Sequence, residues 1–403
     1  MQKTVKLITV KLYRANAGDA FLLSFGKEQN VNIMVDMGFV STYNSYIEKD
    51  LLNLNKKNRC LDLLIITHID RDHIRGALTF FKKNGLTSNI IKVNEVWHNS
   101  YRHLQFAKEK KDTALTKDEI QVLKDIVNQN KINIGEDNIS NISAEEGTSL
   151  ASLLYKYKYK WNNSFGGKAV TAISKILVSD LILTIISPTK YKLELLENYW
   201  KKELNSIFHG ITLNDENIFD DAYEFYMQNI TSSEISISNV SSKTKKQYSE
   251  NDIINLASVK ENISDTPTNG ASIAFIIEYL DKRLLFLGDA HEDVIYENLL
   301  DLKKNGDNLK FDVVKVSHHG SINNSSKRLF DLIITDNYII STDGKRNGHP
   351  SHNVLSMIIF KESQNIKHIY INYDIESINI FNDPELKRKF MYDIIVTDEI
   401  LID

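Results

Sequence analysis

The chain has 403 residues, 42% apolar and 25% charged, with a formal charge of −4, a balance that suits a globular core and excludes a broadly basic nucleic-acid sleeve. A local phosphate site built on metal ions stays compatible with that charge, because the ions bring their own. The single cysteine, Cys60, excludes a disulfide framework and a thiolate zinc site, and a reducing cytoplasm fits that usage.

The opening stretch, MQKTVKLITVKLYRANAGDA, lacks the apolar core and small-residue cleavage site of a secretory signal. No apolar run approaches the ~18 residues that span a bilayer, so a cytoplasmic protein without membrane contact is expected. VKLITVKLY alternates as a strand does, NAGD forms a turn, and AFLLSF and VNIMVDMG follow as strands, the last ending at Asp36. Residues 43–57 have a helical pattern. LDLLIIT (61–67) is an apolar run of strand length, as a strand buried on both faces requires. A loop rich in acids and histidines comes next, then a helix through ALTFFKKNG and a strand IIKVNEVW, an α/β rhythm.

From about residue 100 the rhythm changes. Thr116 to Glu119 is a capping-box pattern before IQVLKDIVNQN, and Ser143 to Glu146 is another before TSLASLLYKY. This polar, helical region predicts an insertion over about 99–170. LILTIISPT (181–189) returns to strand character. A second inserted segment, about 190–265, contains LELLENYWKKEL and the Ser/Lys-rich TSSEISISNVSSKTKKQYS, whose composition predicts a mobile loop. Regular structure resumes at ASIAFIIEYL, RLLFLGD, FDVVKVSHHG, NYIIST and KHIYINY, and the whole forms a single domain with two insertions.

Four apolar runs stop at acid or imidazole side chains: MVDMG at Asp36, LLIITHIDRDH, LLFLGDA at Asp289, and VVKVSHHGS at His318 and His319. Strand carboxyl ends are where a buried sheet gathers functional groups. Of the eleven histidines, His68, His73, His318, His319 and His349 all fall in such positions, where chance would scatter them. Imidazole with carboxylate and no thiolate suits zinc, manganese or iron. One tight loop lets His68 and Asp70 face one ion while Asp72 and His73 turn to its neighbour. Asp289, from another strand, could bridge both ions with its two oxygens, and His319 or His318 would complete the second shell. Two ions ~3.5–4 Å apart generate a hydroxide and clamp attacking and leaving oxygens. The bland alternative is that acids and histidines cap strands and hydrogen-bond loop backbone, and their joint recurrence in this order weighs against it.

These residues resemble the metallo-β-lactamase fold superfamily. His68-x-Asp70-x-Asp72-His73 looks like its HxHxDH signature, with Asp at the second histidine, a variant typical of the branch containing the cytoplasmic domain of the DNA-uptake protein ComEC. NAGDAFLLSF, IMVDMG, LLFLGDA, DVVKVSHHGS and STDGKRNGHPS match further segments of that branch in order, over roughly residues 5–98, 180–188 and 270–375. The resemblance implies an α+β fold, an αβ/βα four-layer sandwich with its metal site at one edge. It also implies one or two divalent ions, zinc or manganese, and hydrolysis by a metal-bound hydroxide, often of phosphodiesters. By position, His68 and Asp70 resemble ligands of the first metal, Asp72 and His73 those of the second, with Asp72 also at the chemistry. Asp289 resembles the bridge and His319 the remaining ligand, leaving His318 near the leaving group and His349 as a substrate contact. Asp36 lies under the site and orients loop residues. One departure stands out: Asn269, in TPTNGASIAF, occupies the place where the superfamily often has a further histidine. This implies a first metal that is weakly held, filled only with substrate or absent, with His98 as a possible substitute.

The expected function is therefore a metal-dependent phosphodiesterase or nuclease. Alternatives are hydrolysis of a carbon ester, lactone or lactam on the same scaffold, or a metal-stabilised binding or sensor module in a multi-protein system, such as phage defence, with a protein partner on the insertions. YKYKYKW (155–161) alternates Lys with aromatics, which suits an amphipathic strand with a solvated lysine face better than a nucleic-acid stacking surface. KTKK (243–246) is a solvated charge run. Lys315, Lys345 and Arg346 sit beside site motifs and are the better phosphate candidates, while Arg71 and Arg75 flank the metal loop near acids.

Overall fold

Period-two alternation along the strands assigns each side chain to one of two faces, and the faces assemble four layers. The structure, a computed structural model, describes residues 8–105, 115–132, 149–207, 217–230, 247–259, 264 and 266–403. One sheet contains β1 (Ile8–Leu12), β2 (Phe21–Phe25), β3 (Val31–Val35), β4 (Leu63–Ile65) and β5 (Val96–Trp97). The other contains β6 (Lys175–Val178), β7 (Leu181–Ser187), β8 (Ala274–Tyr279), β9 (Lys282–Phe286), β10 (Val313–Lys315), β11 (Asn337–Ile340), β12 (Lys367–Ile371) and β13 (Tyr392–Val396). The final strand, β14 (Glu399–Ile402), returns to the first sheet beside β1, giving orders β14-β1-β2-β3-β4-β5 and β13-β12-β11-β10-β9-β8-β7-β6.

Leu23, Phe25, Ile33, Leu63 and Ile65 meet Leu183, Phe275, Ile277, Leu284 and Phe286 in the core between the sheets. Phe286 packs edge-on to Phe21 at 5.5 Å and stacks on Phe275 at 5.8 Å. Burying such side chains contributes about 1.5–3 kcal/mol each. The opposite faces carry helices. Leu22, Met34 and Leu64 meet Tyr43, Leu51, Phe80 and Phe81 on one side, and Ile276, Leu285, Val314 and Ile340 meet Leu299, Leu355 and Ile358 on the other. Helix, sheet, sheet, helix is the αβ/βα four-layer sandwich that the sequence motifs imply.

The helices between residues 99 and 230 have a core of their own. Tyr101, Leu123, Leu193, Trp200, Phe219 and Tyr223 form it, and two residues of the loops at the strand ends, Ile69 and Ala271, are packed into it. The helix Asn217–Ile230 is pinned to its neighbours by three successive acids. Asp220 holds Arg102, Asp221 holds Ser149 Oγ, and Glu224 is fully buried against four donors. Those donors are His98 Nε2 at 3.1 Å, Ser100 Oγ at 2.8 Å, and the Leu150 and Ala151 amides at 2.7 and 3.3 Å.

Several expected elements differ. LDLLIIT and IIKVNEVW shrink to Leu63–Ile65 and Val96–Trp97, because the residues on either side turn out of the sheet to carry loops. YKYKYKW is not an amphipathic strand: Tyr155 and Lys156 end the helix Leu150–Lys156, a turn follows, and only Trp161 bridges to Val96. The Thr116–Glu119 capping box forms as expected, with the Glu119 carboxylate accepting from the Thr116 amide at 2.7 Å. The Ser143–Glu146 box and the KTKK run lie outside the described residues. Among the described residues, no helix is long and apolar enough to cross a membrane.

Candidate metal centre

β3 and β4 run parallel to each other, as do β9, β10 and β11, so Asp36, His68, Asp289, His318 and Ser341 all follow carboxyl ends at one edge of the sandwich. Two glycines let the loops close there. A Cβ on Gly18 would lie 2.0 Å from the Asp72 carbonyl oxygen, and one on Gly76 would lie 2.0 Å from that of Met37. His318 and His319 both adopt left-handed backbone, φ 46° and 55°, in the turn after β10. Such conformations cost on the order of 1–3 kcal/mol each in a non-glycine residue and persist where the surroundings over-determine them.

The hydrogen-bond partners of each imidazole settle which nitrogen carries the proton. His73 Nδ1 donates to Asp36 Oδ2 at 2.8 Å, and His319 Nδ1 donates to the Ser341 carbonyl at 2.9 Å. Thr67 Oγ1 gives its own proton to Asp36 at 2.7 Å and so accepts from His68 Nδ1 at 3.0 Å. His318 Nδ1 donates to Asn324 Oδ1 at 2.8 Å. With Nδ1 the donor in each ring, the neutral form of all four imidazoles presents its lone pair at Nε2. They converge on one oxygen: Asp289 Oδ2 lies 3.9, 3.5, 3.7 and 3.5 Å from Nε2 of His68, His73, His318 and His319.

Lone pairs facing a carboxylate cannot hydrogen-bond, and these separations exceed the ~2.7–3.2 Å of an N–H···O bond. Two donors ~2.1 Å from a shared ion stand roughly 3.0–3.5 Å apart, which this spacing approaches. Asp70 Oδ2 adds a donor 3.5 Å from His68 Nε2, and Asp72 reaches His73 Nε2 at 3.9 Å and His319 Nε2 at 3.7 Å. Nε2 of His68, His73 and His319, with Asp70 Oδ1 and Asp289 Oδ1, is buried without any hydrogen-bond partner. Buried acceptors left this way carry a large desolvation penalty, which a divalent cation removes. His68, His73 and Asp289 form one triad of ion-holding spacing, and Asp72, His73 and His319 form another. The residues present therefore fit one or two divalent ions; His73 belongs to both triads, and Asp289 Oδ2 lies 3.5 Å from Nε2 of both His73 and His319.

Protons substitute for that cation in the metal-free protein. Burial works against charging His73 and His319, but Asp289 with Asp36 and Asp72, or with Asp19, outweighs it and raises both. Burial likewise works to raise Asp289, and the surrounding His319, His73 and His318 hold it well below the usual carboxylate range instead. A histidine raised on folding stabilises fully below its unfolded pKa of about 6.5, and that contribution is lost as pH climbs through the folded value. Lys361 and Lys367, lowered by burial to about 8, act in the opposite sense above that pH. Chelator-treated protein is thus expected to melt at progressively lower temperature from pH 6.5 to 8, and saturating Mn²⁺ to cancel the trend. A flat or rising melting temperature in chelator would contradict it.

The predicted residues land unevenly. His68, Asp70, Asp72, His73, Asp289, His318 and His319 come together. His349 stands beside them, its ring 5.3 Å from that of His318 and its Nδ1 buried without a partner. Burial, with His318 and His319 nearby, holds His349 well below the usual imidazole range, so it is neutral at pH 7. Asp36 orients His73 and Thr67, as expected. His98 does not substitute for a missing ligand: it is fully buried, its Nε2 is committed to Glu224, and its ring stacks against Trp161. Lys315 is not a phosphate contact either. It is 1% exposed, paired with Asp19, and donates to the Gly288 carbonyl at 3.0 Å. Asp19 and Asn324 escaped the sequence reading. Asp19 lies 3.3 Å from His319 Nδ1, and the Gly-Asp of NAGDA, ending a turn before a buried strand, was the available signal.

No family model matches the chain, and no curated protein does. Among solved structures it is similar to the metallo-β-lactamase fold protein YhfI from Bacillus subtilis, at 7% identity and a TM-score of 0.38 over 98% of this chain and 99% of that one. It is also similar to CmlA, a diiron β-hydroxylase from Streptomyces venezuelae, at 9% identity and a TM-score of 0.37, spanning all of this chain and 54% of that one. A protein of unknown function from Enterococcus faecalis follows at 8% identity and a TM-score of 0.28, over 97% of this chain and 77% of that one. The layers and the donor set together define an αβ/βα sandwich with a candidate His/Asp metal centre at its strand ends.

Proposed function

We propose that the chain is a metal-dependent hydrolase that cleaves phosphodiesters. The observation that carries this reading is the convergence of four bare imidazole nitrogens on Asp289 Oδ2. Divalent ions held there would lower the pKa of a coordinated water and neutralise charge developing on phosphoryl oxygens.

The chain's own residues supply the rest. Asp72 is the most open of the acids, its side chain 28% exposed, so it faces incoming substrate and can take a proton from attacking water. Neutral His349 can offer its remaining N–H as a hydrogen bond to a substrate or leaving-group oxygen, with the leaving oxygen's proton coming from water. Asp36, Asn324 and the Ser341 carbonyl hold the imidazoles in the tautomer that leaves Nε2 bare.

An anionic substrate is favoured by the loops around the opening. Arg14 precedes Asp19 on the β1–β2 loop, Arg71 adjoins Asp72, and exposed Lys345 and Arg346 lead into His349. These cations neighbour site residues along a chain whose formal charge is −4, and positive charge at the opening would draw phosphates toward it. Protein reconstituted with Mn²⁺ or Zn²⁺ is expected to hydrolyse bis-p-nitrophenyl phosphate and to leave nitrocefin and acyl-lactones intact. Turnover of the lactam or lactone without the phosphodiester would replace this reading by carbon-ester or amide hydrolysis.

A further inference from the structure

We propose that His318 is a ligand of the first metal position, together with His68, Asp70 and Asp289, in place of the histidine that Asn269 lacks. This deepens the metal-centre reading and rests on it. The Nε2 of His318 lies 3.7 Å from Asp289 Oδ2, within the spread set by the other three imidazoles.

Asn324 decides the tautomer of His318. Its amide nitrogen faces two backbone carbonyls, Asp289 at 2.9 Å and Ala290 at 3.3 Å, so its Oδ1 must be the atom turned to His318 Nδ1. The Asn269 amide also approaches Nδ1, but at 3.4 Å against 2.8 Å for Asn324, and the shorter contact prevails. A proton fixed at Nδ1 leaves a lone pair at Nε2, aimed into the site. A neutral imidazole in that state has no proton to give there, so it acts as a Lewis base and not as the acid for a leaving group.

The backbone agrees. Both His318 and His319 sit in left-handed conformation, and the strained pair delivers two adjacent rings to the same carboxylate. His68 Nε2 lies 3.5 Å from Asp70 Oδ2 and 3.9 Å from Asp289 Oδ2, and with those three as donors His318 would bring the first position to four, the number a closed tetrahedral shell takes. Asn269 is 2% exposed and flanks His318, where it offers a neutral amide in place of an imidazole.

The test is metal stoichiometry. Chelator-stripped protein is titrated with Mn²⁺, and bound ions are counted by native mass spectrometry and electron paramagnetic resonance. Wild type is expected to take two ions, His318→Ala one, and His349→Ala two. Asn324→Ala, which frees the tautomer and keeps the ring, is expected to weaken the same ion about 10–100-fold while the other is unaffected, and it reads the same contact should His318→Ala fail to fold. Two ions at wild-type affinity in both the His318 and Asn324 variants would overturn the assignment of His318 alone. No ion in wild type would overturn the metal-centre reading, and this assignment with it.

Discussion

Asp289→Ala is expected to strip the protein of its ions and to lower phosphodiester hydrolysis by about 10²–10³-fold or more. The reason lies in geometry. Nε2 of His68, His73, His318 and His319 all lie within 3.9 Å of Asp289 Oδ2, which carries the negative charge that makes the pocket attractive to a cation. Remove it, and the imidazole nitrogens lose their shared anion while Lys315 stays beside them, its Nζ previously 3.8 Å from the carboxylate. Asp289→Asn keeps the volume and drops the charge, so it should fail almost as badly. Metal content by elemental analysis and turnover of bis-p-nitrophenyl phosphate report the two effects separately. Full metal retention with turnover within tenfold of wild type would refute the shared role given to this oxygen.

Glu224→Ala should produce the largest loss of stability among single substitutions outside the metal centre. Its carboxylate is fully buried and accepts from His98, Ser100 and the first amides of the helix Leu150–Lys156, joining segments more than seventy residues apart. Truncation leaves those donors buried without an acceptor, which costs about 3–5 kcal/mol, as breaking a buried charged pair does. Glu250→Ala is the fitting comparison. It breaks only the exposed pair with Lys389, where such contacts contribute about 1 kcal/mol or less. Urea denaturation followed by circular dichroism should separate the two clearly. A Glu224→Ala midpoint no lower than that of Glu250→Ala would show that the helical segment is held by its apolar contacts alone. Because Ile69 of the metal loop packs into that segment, the variant should also bind its ions less tightly.

Much of the centre was legible because it obeys local rules. Asp36, the His68–His73 loop, Asp289 and His318–His319 each end an apolar run, and run length and alternation are sequence properties. The partners of those side chains were less visible. Glu224 meets His98 across 126 positions, and no local pattern announces that pairing. His98 therefore looked available when it was already committed. Lys315 misled for a related reason. A lysine inside the apolar run VVKV reads as a phosphate contact beside site motifs, whereas its position in a fully buried strand demands a buried acid, which Asp19 supplies. The C-terminal strand Glu399–Ile402 pairs with Ile8–Leu12, nearly the whole chain away, and strand character alone names no partner. YKYKYKW shows the converse: its alternation is genuine, yet Ser149 caps a helix just upstream and the turn at Tyr157 and Lys158 breaks the repeat before a strand can form.

The whole account depends on a cation belonging where those nitrogen lone pairs meet. Crystals grown with Mn²⁺ and measured at its absorption edge would locate it by anomalous scattering. A peak about 2.0–2.4 Å from Asp289 Oδ2 and from Nε2 of His73 and His319 is the predicted result. A map without a peak there, with those imidazoles turned to hydrogen-bond protein groups, would contradict it.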